Sequence, residues 1–368
     1  MVGTSQKLPP HWLSKSVNLY SSNDLEHWHS EGEIFSVSQV RGLSPDLPPF
    51  SRLRPRSHPV GEIFTVSQVR PVAAVRLERP KILYNKKTSK YVMWFHSDDA
   101  AFSMGHVGVA TATQIAGPFT FVSSWQPDGY RSLDMTITQV RSPHISFSHL
   151  LTPCSLNMPT TTQLHPSDAA AYLVRSVDNR YSGFSRLTDD YLNTTAAGIL
   201  SKGPKCEGNS VWADEGSVWM LCSQYALAIE LSGARLLSST HGVCPACRSL
   251  TGWHANPAIL VRSNTPTISA RTSWTMLGNP TNKSFSYDSQ PTYVLPLDLP
   301  QGRLRLYMGD RWNEGSESAP GSVGGASYVW LPLLRNASAP TGWSMPLLAG
   351  KWNATGQWKV ADYLQKSY

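Results

Sequence analysis

Glu78, Asp134, Glu207 and Gln290 each precede or open a short apolar hairpin in a different part of the chain. Carboxyl groups brought face to face can divide general-acid and general-base work when their surroundings separate their proton affinities. Glu207 suits the acid. Its neighbours in Cys206-Glu-Gly-Asn-Ser-Val-Trp212 carry no charge. Partial burial there would raise its pKa and keep a proton available near neutral pH. Gln290 in its ordinary amide form takes no proton. Glu78 has a plainer alternative, an ion pair with Arg79 or another nearby base. For a lone Glu ahead of a strand, a solvated surface position is the commoner outcome, so these roles depend on the elements that place them.

Those elements are strands. Pro80-Lys-Ile-Leu-Tyr84, a polar Asn85-to-Lys90 turn and Tyr91-Val-Met-Trp-Phe95 form one strand–turn–strand unit. Ser210-Val-Trp212, Ala213-Asp-Glu-Gly216 and Ser217-Val-Trp-Met-Leu221 form another, and Thr292 to Leu297 with Leu304 to Met308 a third. Weaker members are Ala171 to Val174 with Tyr181 to Ser185, and Tyr328 to Leu333. The runs are short, rich in Val, Tyr and Trp, and bounded by turn residues. No stretch keeps a period of 3.6. Repeated hairpins of this kind predict an all-β chain with propeller blades carrying long loops.

The 368 residues are long enough for one large β domain or two ordinary ones, and 40% hydrophobic against 15% charged residues reads as globular. The 13 Trp and 14 Tyr suit a β-rich core or a carbohydrate site, since flat rings pack on the apolar faces of sugars. A net charge of +7 raises nucleic-acid binding, but its distribution argues against it. Six Arg from Arg41 to Arg76 face only Asp46 and Glu62 in a Pro-rich stretch without periodicity, and the remaining excess is scattered. Neither a nucleic acid nor a membrane is an expected partner: no apolar run approaches the roughly 18 residues of a span.

The five Cys form no convincing framework, and Cys244-Pro-Ala-Cys247 lacks the second ligand pair of a zinc site. No metal or other cofactor is expected. Sequons at Asn193, Asn282, Asn336 and Asn353 are compatible with secretion. Met1 is not followed by a signal-peptide pattern. The expected location is nevertheless secreted or within the secretory pathway.

Three segments interrupt the pattern. Gly32-Glu-Ile-Phe-Ser-Val-Ser-Gln-Val-Arg41 recurs as residues 61–70 with nine of ten positions identical. Two copies of one strand cannot share one slot in a sheet, so one copy is extruded. Residues 139–166 are rich in Ser, Thr and Pro, and residues 224–249 read as unrelated text between Met220-Leu-Cys-Ser223 and Leu250-Thr-Gly-Trp253. All three read as inserted loops.

A series of blocks in order carries a family resemblance: Glu78 to Asn85 with Lys90 to Trp94, Ser132-Leu-Asp-Met-Thr136, Ser185 to Leu192, Glu207 before a hairpin, Thr251-Gly-Trp253, Ser289 to Pro296, Tyr307 to Trp312 and Tyr328 to Leu333. Together they resemble glycoside hydrolase family 43, most closely its exo-β-1,3-galactanase branch. The resemblance implies a five-bladed β-propeller. It implies exo-acting, inverting cleavage of β-1,3-galactan or an arabinogalactan-type polysaccharide by a monomer, releasing galactose. Glu207 matches the family's general acid. Gln290 matches a glutamine that positions the attacking water, and Glu78 the branch's other active-site carboxylate. Asp134 resembles a residue that binds galactose hydroxyls or tunes the acid. Thr251 and Trp253 resemble walls near the terminal sugar, Phe102 stands for a stacking tyrosine, and Asp310, with Trp312, either touches ligand or supports the site.

The expected organisation is a propeller over residues 17–335, with inserts near 36–75, 139–166 and 224–249, and a tail over 336–368 closing or packing on it. The family's opening strand is missing, so the first blade is expected to be incomplete, without its inner strand. Two other readings stay open: a family 43 arabinofuranosidase or xylosidase, and an inactive carbohydrate-binding propeller or incomplete gene product.

Overall fold

The computed structural model describes residues 2–6, 14–23, 27–40, 75–99, 101–141, 169–224, 256–283, 286–299, 302–311 and 327–346. Its strands are β1 Val2–Gln6, β2 Ser14–Ser21, β3 His29–Ser36, β4 Val75–Asn85, β5 Lys90–Asp99, β6 His106–Ala112, β7 Thr120–Trp125, β8 Ser132–Arg141, β9 Ala169–Val177, β10 Tyr181–Leu187, β11 Thr194–Lys202, β12 Cys206–Asp214, β13 Ser217–Gln224, β14 Ala258–Ser263, β15 Trp274–Gly278, β16 Ser289–Leu299, β17 Gly302–Arg311, β18 Ser327–Arg335 and β19 Trp343–Ser344. They form four four-stranded antiparallel sheets, β4–β7, β8–β11, β12–β15 and β16–β19, and one three-stranded sheet, β1–β3. The arrangement is an all-β propeller. It has four complete blades among the described residues, where five blades, the first of them incomplete, were expected.

Alternation along the middle strands explains how the sheets stack. In β5, Met93 and Phe95 enter a core shared with Val17 and Phe35 of the first sheet, whereas Val92 and Trp94 enter one shared with Ile137 and Leu173. In β13, Val218 and Met220 pack with Phe184, while Trp219 and Leu221 pack with Tyr307 and Trp343. Period-two side chains therefore serve two neighbouring blades, and a strand buried on both faces reads as a continuous apolar run. On β17, Leu304, Leu306 and Met308 meet Trp330, against which Trp28, the residue leading into β3 of the first sheet, packs edge-on at 5.0 Å. That contact joins the last sheet to the first.

The inner strands succeed one another around the axis: β1 lies against β4, β4 against β8, β8 against β12, and β12 against β16. The first sheet thus corrects an expectation. It does have an inner strand, supplied by Val2–Gln6 paired with β2; the strand it lacks among the described residues is an outer one. The first decapeptide copy occupies the sheet as β3 and the turn after it, with Ile34, Phe35 and Val40 buried. The second copy, most of each insert, the CxxC pair and residues 347–368 lie outside the described residues. The last blade's outer strand, β19, comes from beyond residue 335.

Hairpin turns follow their residue types. Glu215 and Gly216 take φ of 45° and 69° between paired Asp214 and Ser217, a two-residue turn whose twist matches the strands. Cys206 and Cys222 form a disulfide across β12 and β13, a pairing not evident from the cysteine spacings.

Candidate active site

Four of the five inner strands break register at the candidate residues. The β4–β5 ladder slips between Glu78 and Lys81, and the β8–β9 ladder between Leu133 and Met135. The β12–β13 ladder slips between Glu207 and Ser210, and the β16–β17 ladder between Pro291 and Tyr293. Arg79, Asp134 and Gly208 sit at these breaks with φ of 53°, 35° and 62°. A regular strand sends adjacent side chains to opposite faces, and an extra residue re-aims one of them. Pro80 and Pro291 have no N–H to leave unpaired beside the breaks.

Arg79 ties three strands together. Its Nε donates to Asp134 Oδ1 at 2.7 Å, one terminal nitrogen donates to the Pro291 carbonyl at 2.9 Å, and the other donates to Gln290 Oε1. Arg79 and Asp134 side chains are only 7% and 13% exposed. Burial alone would lower the Arg79 pKa, but Asp134 and Asp310 carry it above its ordinary value. The second Asp134 oxygen accepts the Gly208 N–H at 3.1 Å. A Cβ on Gly208 would lie 2.8 Å from both Gln290 Cγ and the Pro291 carbonyl oxygen. Only glycine allows β12 and β16 to approach this closely.

Glu207 is consequently held beside Asp134 and the nearly fully buried Gln290. Burial, then the Asp134 charge, push its pKa up to about 8 against the opposing pull of Arg79 and a hydrogen bond with Gln290. Asp310 stands opposite Gln290 in the ladder. Burial raises its pKa, opposed by Arg79 and Lys81. Lys81 donates from Nζ to the Arg79 carbonyl at 3.5 Å, and burial followed by the Arg79 charge lowers its pKa to about 7.

Glu78 does not pair with Arg79. Its Oε2 lies 3.1 Å from His96 Nδ1, and His96 Nε2 lies 3.1 Å from Asp98 Oδ2. Phe102 packs near-parallel on His96, with centroids 6.1 Å apart, and carries the Arg76 guanidinium 3.9 Å above its ring centroid. Glu78, Asp134, Glu207, Gln290 and Asp310 are thus brought together through Arg79 and its surroundings, with Phe102 adjoining through His96. Thr251, Trp253 and Trp312 lie outside the described residues. Sequence reasoning did not single out Lys81, His96 or Asp98; of its two plainer alternatives for Glu78, Arg79 is taken by Asp134, and His96 is the nearby base. Among the described residues no group of three or more His, Cys, Asp or Glu side chains could hold a metal ion.

This fold is similar to that of solved family 43 glycoside hydrolases. A GH43 β-1,3-galactosidase superposes with a TM-score of 0.65 at 22% identity, over 98% of this chain and 57% of the other. An exo-β-1,3-galactanase from Clostridium thermocellum gives 0.63 at 24% identity, over 94% of this chain and 58% of the other. One from Phanerochaete chrysosporium, solved with galactose, gives 0.58 at 24%, over 92% and 57%. The chain therefore spans little more than half the length of these relatives, and the likeness is one of fold. No protein-family model and no curated protein sequence matches the chain.

Proposed function

We propose that this chain is a glycoside hydrolase that removes terminal galactose from β-1,3-linked galactan with inversion, and that its three-stranded sheet is the first of five blades. The observation that carries the reading is the Glu207 carboxyl, set at the break in β12 beside Asp134 and the buried Gln290, where burial pushes its pKa up to about 8 and favours the protonated form at neutral pH. Such a group can give its proton to the leaving glycosidic oxygen as the bond breaks. A water attacks the opposite face of the sugar, with Gln290 orienting it and Glu78 accepting its proton. Asp134, held by Arg79 and the Gly208 N–H, tunes the acid through its charge. The likeness to the Phanerochaete chrysosporium exo-β-1,3-galactanase solved with galactose supports the sugar. The Cys206–Cys222 disulfide supports a secretory, oxidising location.

The test is galactose release from β-1,3-galactan by purified protein, with arabinofuranosides and xylosides as competing substrates. Release from galactan alone is expected, and Glu207→Gln should lower the rate on the order of a hundredfold or more. Equal rates in the two proteins would remove Glu207 from its role. Binding of galacto-oligosaccharides without turnover would select the non-catalytic reading.

A further inference from the structure

We propose that His96 and Asp98 are a positioning pair that fixes Glu78 as the proton-accepting carboxylate of this site. The role rests on the hydrolase reading above. His96 faces Glu78 across the β4–β5 ladder at the last pair before the register slips. Its two ring nitrogens each meet a carboxylate oxygen at 3.1 Å, Glu78 on one side and Asp98 on the other. A neutral imidazole has a single N–H and would turn a bare ring nitrogen, lone pair against lone pair, onto one of the two carboxylate oxygens, so this geometry calls for the imidazolium.

Asp98 is itself immobilised. It is fully buried and accepts the backbone N–H groups of Asp99, Met104 and Gly105 at 2.9, 2.8 and 2.9 Å. Three N–H donors hold a carboxylate in its charged form. The Phe102 ring limits rotation of the imidazole, and the Phe102 carbonyl is held in turn by Arg131. The other titratable groups acting on this cluster are Arg76, Asp99 and His106 and, through Glu78, Arg79 and Asp310. Arg76 stands opposite Asp98 in the ladder and adds positive charge beside the carboxylates. Burial would depress the His96 pKa, yet the hydrogen bonds to Asp98 and Glu78 lift it to about 9.

The consequence is chemical. In the inverting step the water oxygen bonds to the anomeric carbon as the glycosidic bond breaks. Glu207 gives its proton to the leaving oxygen, and one water proton passes to Glu78. Glu78 can accept it only if it starts ionised and correctly aimed. His96 and Asp98 act on Glu78 and not on the sugar.

A double-mutant cycle with β-1,3-galactotriose tests this. His96→Gln should lower kcat/KM on the order of ten- to a hundredfold in the otherwise native protein, the scale of a misplaced reacting group. The same change should cost nothing further in a Glu78→Gln background. Additive losses would overturn the proposal. Nitrogen-15 spectra of the native protein provide a readout that needs no activity. Both His96 ring nitrogens should be protonated at pH 8, and Asp98→Asn or Glu78→Gln should return the ring towards neutrality. A neutral ring at pH 8 in the native protein would overturn the proposal. If the protein released no galactose, the hydrolase reading would fail, and the spectra would still decide the pairing. They also decide it if His96→Gln fails to fold.

Discussion

Replacing Arg79 with Met removes a buried cation while keeping most of its bulk. Asp134 Oδ1, the Pro291 carbonyl and Gln290 Oε1 all lose a donor at once. Breaking a buried ion pair by deleting one partner costs about 3–5 kcal/mol, because the remaining charge is left without compensation. At about 2–4 °C per kcal/mol for a chain of 150–250 residues, somewhat less for a longer one, melting should fall by about 5–15 °C. A second effect has the opposite sign to a general loss of structure. Arg79 opposes the rise in the Glu207 pKa, so its removal should carry that pKa higher. The basic limb of activity should move to higher pH even as the rate falls. Thermal and urea melts with pH–rate profiles of the two proteins measure both. A loss below about 1 kcal/mol, the value of an exposed pair, together with an unmoved limb would refute this account of Arg79.

Two further outcomes follow from the same geometry. Gly208→Ala should weaken both folding and catalysis, since the left-handed backbone costs about 1–2 kcal/mol and the new methyl must displace Gln290. Gly216→Ala, where φ is 69° but nothing lies within 4 Å, should show the folding cost alone. Equal kcat/KM in the two variants would refute a special role for the β12–β16 approach. The unfolded Glu207 carboxyl ionises near the ordinary 4.5 of a glutamate and the folded one near 8. Between these pH values the folded state holds the extra proton, so this group makes stability fall as pH rises. The stability difference between native protein and Glu207→Gln should therefore slope by up to about 1.4 kcal/mol per pH unit across that window. A flat difference would contradict the raised pKa.

The hairpins were legible because their chemistry is local. Tyr91 to Phe95 and Val218 to Leu221 are apolar throughout, as strands buried on both faces must be, and Glu215-Gly216 is a turn by residue type. β1 was not legible: Val2-Gly-Thr-Ser-Gln6 has one large apolar residue, and its pairing with β2 makes it a strand. Glu78, Asp134, Glu207 and Gln290 could be singled out from their places before hairpins and from the family blocks. Their supports could not. Alternation sends Glu78 and Arg79 to opposite faces, and only the register break frees Arg79 to reach Asp134. His96 and Asp98 continue an apolar run, and their partners depend on cross-strand register and on a loop that returns at Met104. The cysteine spacings likewise hold no trace of which thiols β12 and β13 bring together.

The most direct measurement is the titration of the Glu207 carboxyl itself, followed by carbon-13 NMR and assigned by its loss in Glu207→Gln. A midpoint near 8, matching the basic limb of galactose release, is expected. A midpoint near 4.5 would mean that the group is ionised at neutral pH and has no proton to give.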